Sequence, residues 1–192
     1  MKIEFENCSD TKEVFNFFNE IYGIDMFHKK YLDNPSRKVV PILTKYIQYF
    51  LFCLLLFIVF LALYLSDKSI LCLIVTIFYG ILVVLSFAVY ISIKSILKRK
   101  VKEQVDKKNS AINVDKEKII YSFNITDYSS KTTIPWDSIQ YVLFNKHSIF
   151  FFSKTKDTSR FACSIDNKDK IIKMLDKFDK NDLIVDNTGG LK

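Results

Sequence analysis

Glycine and proline are scarce in this chain of 192 residues, with four of the first and three of the second. That excludes collagen-like repeats and Gly/Pro-rich disorder. Charge is missing from two long stretches, Tyr46–Leu65 and Ile70–Ile93. The opening MKIEFENCSDTKEVFNFF lacks an apolar h-region, so no cleavable secretory signal is expected, and no hydrophobic stretch precedes Cys8 to make it a lipid-attachment site. The four cysteines (Cys8, Cys53, Cys72 and Cys163) form no C-x-x-C and no Cys/His cluster of zinc-like spacing. They read as small, reduced, buried apolar residues. P-loop, dinucleotide-binding and His-rich metal motifs are absent. The only histidines, His28 and His147, have no Ser or Cys nucleophile and carboxylate beside them in a triad-like arrangement. Asp115, Glu117, Asp127 and Asp137 are scattered over turns and strand edges, where acids are usually solvated. Together these absences argue against an enzyme and against any cofactor or metal. No internal repeat suggests a solenoid.

What is present is apolar and basic. Hydrophobic residues make up 49% of the chain, and the formal net charge is +7. The apolar excess is concentrated between Tyr46 and Ile93. YIQYFLFCLLLFIVFLALYL (46–65) holds one polar amide, Gln48, and about 20 such residues are needed to cross a hydrocarbon core. The second run, 70–93, is slightly longer, which permits tilt. Only Ser66, Asp67, Lys68 and Ser69 separate the two, so a helical hairpin spanning 46–93 is predicted. Basic residues flank it on one side: Lys29, Lys30, Arg37, Lys38 and Lys45 before, and Lys94, Lys98, Arg99, Lys100 and Lys102 after. The outer turn has Lys68 alone, offset by Asp67. The distribution predicts both termini in the cytoplasm of a multi-pass membrane protein, with tyrosines 46, 49, 64 and 90 towards the interfaces. Topology thus accounts for the net charge, and no nucleic-acid partner is expected. No ionisable acid or base lies within the spans to mark a transport path. Gly80, Ser86 and Ser92 could let helices approach closely, while Thr76 and Ser86 are expected to bond back to their own helix.

The remainder divides into an N-terminal cytoplasmic segment (1–45), a basic juxtamembrane extension (94–110), a compact β-rich domain (111–180) and a flexible tail (181–192). KIEFEN alternates as a short strand. Asp10 and Glu13 form a capping-box-like start to a helix with Val14, Phe15, Phe17, Phe18, Ile21 and Tyr22 on a broad apolar face, and Gly23 is the expected stop. Beyond the second span, KRKVKEQVDKKNS predicts a charged continuation of that helix. The cations Lys94, Lys98, Arg99, Lys100 and Lys102 would then meet lipid headgroups, at about 1 kcal/mol each. Period-two patterning predicts strands at 111–114, 118–125, 131–135, 138–145, 148–153 and 160–164, with DYSSK, NKH and KTKDTS as polar turns. Asp166 is read as the cap of a final helix whose stripe is Ile171, Ile172, Leu175 and Phe178. A domain of about 80 residues is marginal alone, so the N-terminal strand and helix are expected to complete its core.

The order of these parts, with Thr133-Ile134-Pro135-Trp136-Asp137-Ser138-Ile139, then Val142, Ile149-Phe150-Phe151-Phe152 and the helix 166–178, resembles the bacterial membrane proteins with a YcxB-like C-terminal domain. A departure is Cys163-Ser164-Ile165, where a proline or basic step would be expected between last strand and helix. The resemblance implies an α+β membrane protein of the bacterial inner membrane: a two-helix transmembrane hairpin plus a small cytoplasmic PH-like antiparallel sheet capped by a C-terminal helix. Ile134, Trp136 and Ile139 would be its motif core, with Trp136 a packing residue and not a ligand contact. Three roles stay open. One is a non-enzymatic anchored module binding a protein partner, a second copy of itself or anionic lipid. The others are self-protection against a membrane-active toxin and a channel or transporter component.

Overall fold

The computed structural model describes residues 2–5, 10–105, 110–114, 116–125, 128–154 and 161–188; Cys8 and most of the KTKDTS turn lie outside them. The fold is α+β, with strand β1 (Lys2–Phe5), helices α1 (Thr11–Met26), α2 (His28–Asp33), α3 (Ile42–Asp67) and α4 (Ile70–Val105), and strands β2 (Ser110–Val114), β3 (Lys118–Ile125) and β4 (Tyr128–Pro135). There follow β5 (Ile139–Phe144), β6 (Ser148–Ser153), β7 (Phe161–Ser164), α5 (Lys168–Lys177) and β8 (Ile184–Asp186).

Helices α3 and α4 are long and apolar enough to cross a membrane. Each outruns its predicted span, because the flanking residues favour helix and nothing breaks it. Lys68, in the left-handed conformation at φ 46°, ends α3, and its N–H donates to Tyr64 O at 2.8 Å. A non-glycine residue there costs about 1–2 kcal/mol, and the tight turn into α4 requires it. The pairs Phe50–Phe87 (5.7 Å between centroids) and Phe60–Tyr79 (5.5 Å, nearly parallel) fix an antiparallel register. Small and polar residues face the seam. Cys53, Thr76 and Ser86 are buried, and a Cβ on Gly80 would stand 3.3 Å from the Phe57 ring. Thr76 donates to Cys72 O and Ser86 to Val83 O, within their own helix, as expected. Ser92 is exposed and takes no part in the seam. Only 6% of the apolar window of α3 and 11% of that of α4 is covered by the rest of the molecule. Core helices of water-soluble domains are mostly covered; these are open.

The rest forms a body of two four-stranded sheets, where a single antiparallel sheet was expected. The first is antiparallel, in the order β1-β2-β3-β4, with Ile3 opposite Ile112. The N-terminal strand therefore does complete a sheet, across the hairpin. Most of DYSSK, read as a turn, belongs to β4. Ser138, read as the start of a strand, instead closes a 3-10 turn (136–138) that carries the chain into the second sheet, and β5 begins at Ile139. Trp136 N–H donates to Glu117 O at 3.0 Å and Lys154 N–H to Ser138 O at 2.8 Å, which ties the corner.

The second sheet is mixed, in the order β7-β6-β5-β8, with β8 parallel to β5. Strand β8 occupies part of the tail expected to be flexible. Its neighbours explain the runs YVLF and IFFF, because β5 and β6 are covered on both faces. Val142, Phe144, Ile149 and Phe151 pack with Ile171, Met174 and Leu175 of α5 and with Ile119, Ile134 and Trp136. Tyr141, Leu143, Phe150 and Phe152 pack with Ile24, Tyr31 and Val39 on the other side. Each such side chain contributes roughly 1.5–3 kcal/mol by leaving water. Helix α5 starts later than expected. Ser164 caps a 3-10 turn (165–167) by accepting from Asp166 N, so Asp166 stands inside that turn, and α5 begins at Lys168.

Candidate functional site

The side chains with chemical potential gather where the hairpin meets the body. Helix α1 forms the joint, packing against α3, α4, β6 and β7. Asp10 caps it by accepting from Lys12 N at 2.8 Å. Gly23 does not stop it. The helix continues to Met26, and Gly23 is needed for closeness, since a Cβ there would stand 2.4 Å from Val40 O. Two successive residues of α1 hold the two halves. Asn19 Oδ1 accepts from Leu43 N at 3.0 Å and satisfies a first-turn donor of α3. Glu20, buried at 4% exposure, accepts from Ser148 Oγ at 2.8 Å and His147 N at 3.2 Å in the β5–β6 connection. Sequence reasoning missed Glu20. The available signal was a carboxylate one turn before Ile24, on the helix face that should be apolar.

Glu20, His147 and Ser148 do not assemble into a hydrolytic triad. The Ser148 hydroxyl is fully buried and donates to the carboxylate itself, which leaves no nucleophile presented to a substrate. Cys163 is buried, and burial pushes its thiol up, away from the reactive thiolate. Burial, with Tyr31 adding to it, likewise raises the Tyr141 phenol, whose hydroxyl donates to Tyr31 O at 2.6 Å. His28 is buried and stacks on Phe152 at 5.2 Å. No group of three or more His, Cys, Asp or Glu among the described residues is placed to hold a metal ion.

The predicted basic residues follow one another along α4. Leu97 and Val101, one turn apart, are buried on the part of α4 that runs past the start of α3. Lys94, Lys98, Arg99 and Lys102 are exposed around the rest of the helix, Lys100 is half-buried, and Lys94 Nζ lies 5.9 Å from the Tyr90 ring centre. They form a collar around the helix. Ile134, Trp136 and Ile139 are buried at 2%, 4% and 2% exposure in the α5-side core, with Trp136 tilted against Phe178 at 6.2 Å. A different basic group, missed as a site because its members are spread over the sequence, comes together at the α1–α2 kink: Lys30 and Lys45 share the ring of Phe27.

The C-terminal segment is tied to α5, to β5 and to the loop before α3. Lys168 Nζ donates to Asp186 Oδ2 at 2.8 Å, and Thr188 N to Asp186 Oδ1 at 2.8 Å. Burial acts to raise the Asp186 carboxyl, but the hydrogen bonds from Lys168 and Thr188, with the Lys168 charge, outweigh it and hold the group at about 2. Asn187 N–H donates to Phe144 O, and its side-chain amide reaches Pro35 O and Arg37 O.

No protein-family model, curated protein or solved structure matches the chain. The functional reading therefore rests on this geometry.

Proposed function

We propose that the protein is a two-span integral membrane protein of the bacterial inner membrane, without enzymatic activity. It holds a PH-like body at the cytoplasmic face for binding a protein partner or anionic lipid. One observation carries the reading: among the described residues, every exposed large apolar side chain except Met26 lies on α3 or α4. Such a surface is ruinous in water and ordinary in lipid. Apart from Lys68, offset by Asp67 at the turn, the basic residues bracket the end of the hairpin that bears the body, which supports cytoplasmic termini. In favour of the YcxB-like, PH-like reading stand the run of strands β2 to β7 and the helix α5 that follows them and packs on β5 and β6.

The test uses the full chain in cell membranes. The protein is expected to stay in the pellet after alkaline carbonate extraction. In a variant without native cysteines, Ser69→Cys at the hairpin turn should react with an impermeant maleimide on intact spheroplasts, and Lys98→Cys only after lysis. Release into the carbonate supernatant, or the reversed labelling pattern, would sink the reading.

A further inference from the structure

Phe27 sits at the kink between α1 and α2, half-buried against the core formed by Ile24, Tyr31 and Phe152. Its ring carries two cations from separate elements. Lys45 Nζ, from the first turn of α3, is 3.2 Å from the ring centre, and Lys30 Nζ, from α2, is 5.3 Å from it. Each is individually favoured by the ring quadrupole. Held on one ring, however, the two ammonium groups repel each other. Burial, and then the charges of Lys30 and Arg37, all disfavour the Lys45 ammonium.

The loop bearing Arg37 is pinned in place. Asn187 Nδ2 donates to Pro35 O at 3.3 Å and to Arg37 O at 3.4 Å, while Val40 N donates to the Tyr31 hydroxyl at 3.1 Å. Three cations are thus brought together from α2, the following loop and α3, at a cost in mutual repulsion that an anion would relieve.

An apolar surface continues from the cationic floor. Among the described residues, Met26 is the one exposed large apolar side chain off the hairpin, and Tyr46 Oη lies 3.9 Å from its sulfur. On the same face of α3 as Lys45, four and seven residues further on, stand Tyr49 and Phe52, exposed at 51% and 58%. A lysine on this helix leans back towards its N-terminus, out of the apolar zone.

We propose that Phe27, Lys30, Arg37 and Lys45 form a binding site for the phosphate-bearing headgroup of an anionic phospholipid, whose acyl chain lies along Met26, Tyr49 and Phe52. The site deepens the membrane reading above and rests on it. It differs from the α4 collar, whose cations diverge around one helix and cannot all reach a single phosphate.

Native mass spectrometry of the full chain, exchanged into micelles containing either dioleoylphosphatidylglycerol or dioleoylphosphatidylcholine, tests the site. The wild type is expected to retain the glycerol lipid in preference to the choline lipid. Lys30→Ala with Lys45→Ala should weaken retention about tenfold or more. Phe27→Leu, which keeps the bulk and removes the ring face, should weaken it as well. Lys98→Ala with Arg99→Ala, in the diffuse collar, should weaken it clearly less than the double lysine variant. Trp136 emission at the wild-type wavelength certifies each variant as folded, and Lys30→Gln alone, at an exposed position, serves if the double variant fails that check. Equal retention by wild type and the lysine variants overturns the site. So does equal loss in the collar variant. Displacement of the lipid by millimolar inorganic phosphate would assign the cations to a free anion and overturn the lipid. A chain that resists carbonate extraction but shows no lysine-dependent lipid refutes this site alone, whereas release by carbonate refutes the membrane reading beneath it.

Discussion

Two glycines show how one hydrogen in place of a methyl group decides local packing. A Cβ on Gly23 would press on backbone, 2.4 Å from Val40 O and 3.1 Å from Ile42 N. Neither atom can rotate away, so α1 and the segment entering α3 would have to part. Gly23→Ala should therefore destabilise the body by about 1–3 kcal/mol despite the better helix propensity of alanine. Thermal unfolding followed through Trp136 emission would check this. Gly80 meets only the edge of the Phe57 ring, which can yield, so Gly80→Ala serves as the near-neutral control. Trp136 suits the measurement because it is the chain's sole tryptophan and is buried at 4% exposure. Gly23 misled: a glycine after an apolar stripe marks either a stop or a close approach, and only the partner strand of chain tells which.

At the level of elements, α1 is the clasp between hairpin and body, and its grip on the body is the Glu20 carboxylate. Glu20→Ala removes the acceptor for Ser148 Oγ and His147 N in a buried place, a loss of about 1–3 kcal/mol. Glu20→Gln keeps an acceptor and should lose less. Amide hydrogen exchange at residues 145–148 is the sensitive readout, with faster exchange in the alanine variant than in the glutamine one. Strands β2 to β7 were legible because period-two patterning and turn chemistry are local signals. Strand β8 was not, since Ile184-Val185-Asp186 is too short to show a period and exists only by pairing with Val142-Leu143-Phe144 far back in the chain. The two-sided burial of β5 and β6 was written in YVLF and IFFF, yet what covers the second face depends on where α1 and α2 travel. The basic collar could be read from its contiguity on α4. The Phe27 group could not, because three elements had to fold before its members met.

For the whole molecule, the C-terminal segment acts as a strap over the joint, and its chemistry gives a pH signature. The Asp186 carboxyl stands at about 2 in the folded protein, against about 3.9 in an unfolded chain. A depressed value means that the ionised form is favoured by folding. Its contribution is therefore complete above about pH 4 and fades as pH falls towards 2. Asp186→Asn should lower the urea midpoint at pH 6, and its difference from wild type should shrink steadily between pH 4 and 2. A difference that stays constant over that range would assign the strap's strength elsewhere. The sheet shared by the two sides of the hairpin also has a consequence for biosynthesis. Strand β1 is translated first, and its partner β2, with Lys2 opposite Asn113, only after both long helices. At ordinary translation rates that wait lasts about 5 to 20 seconds. On the two-span reading, the hairpin will have entered the bilayer within this interval, delivering residues 41 and 94 to the same side. Membrane insertion then closes the loop between β1 and β2, and its entropic cost is met before the sheet begins to zip.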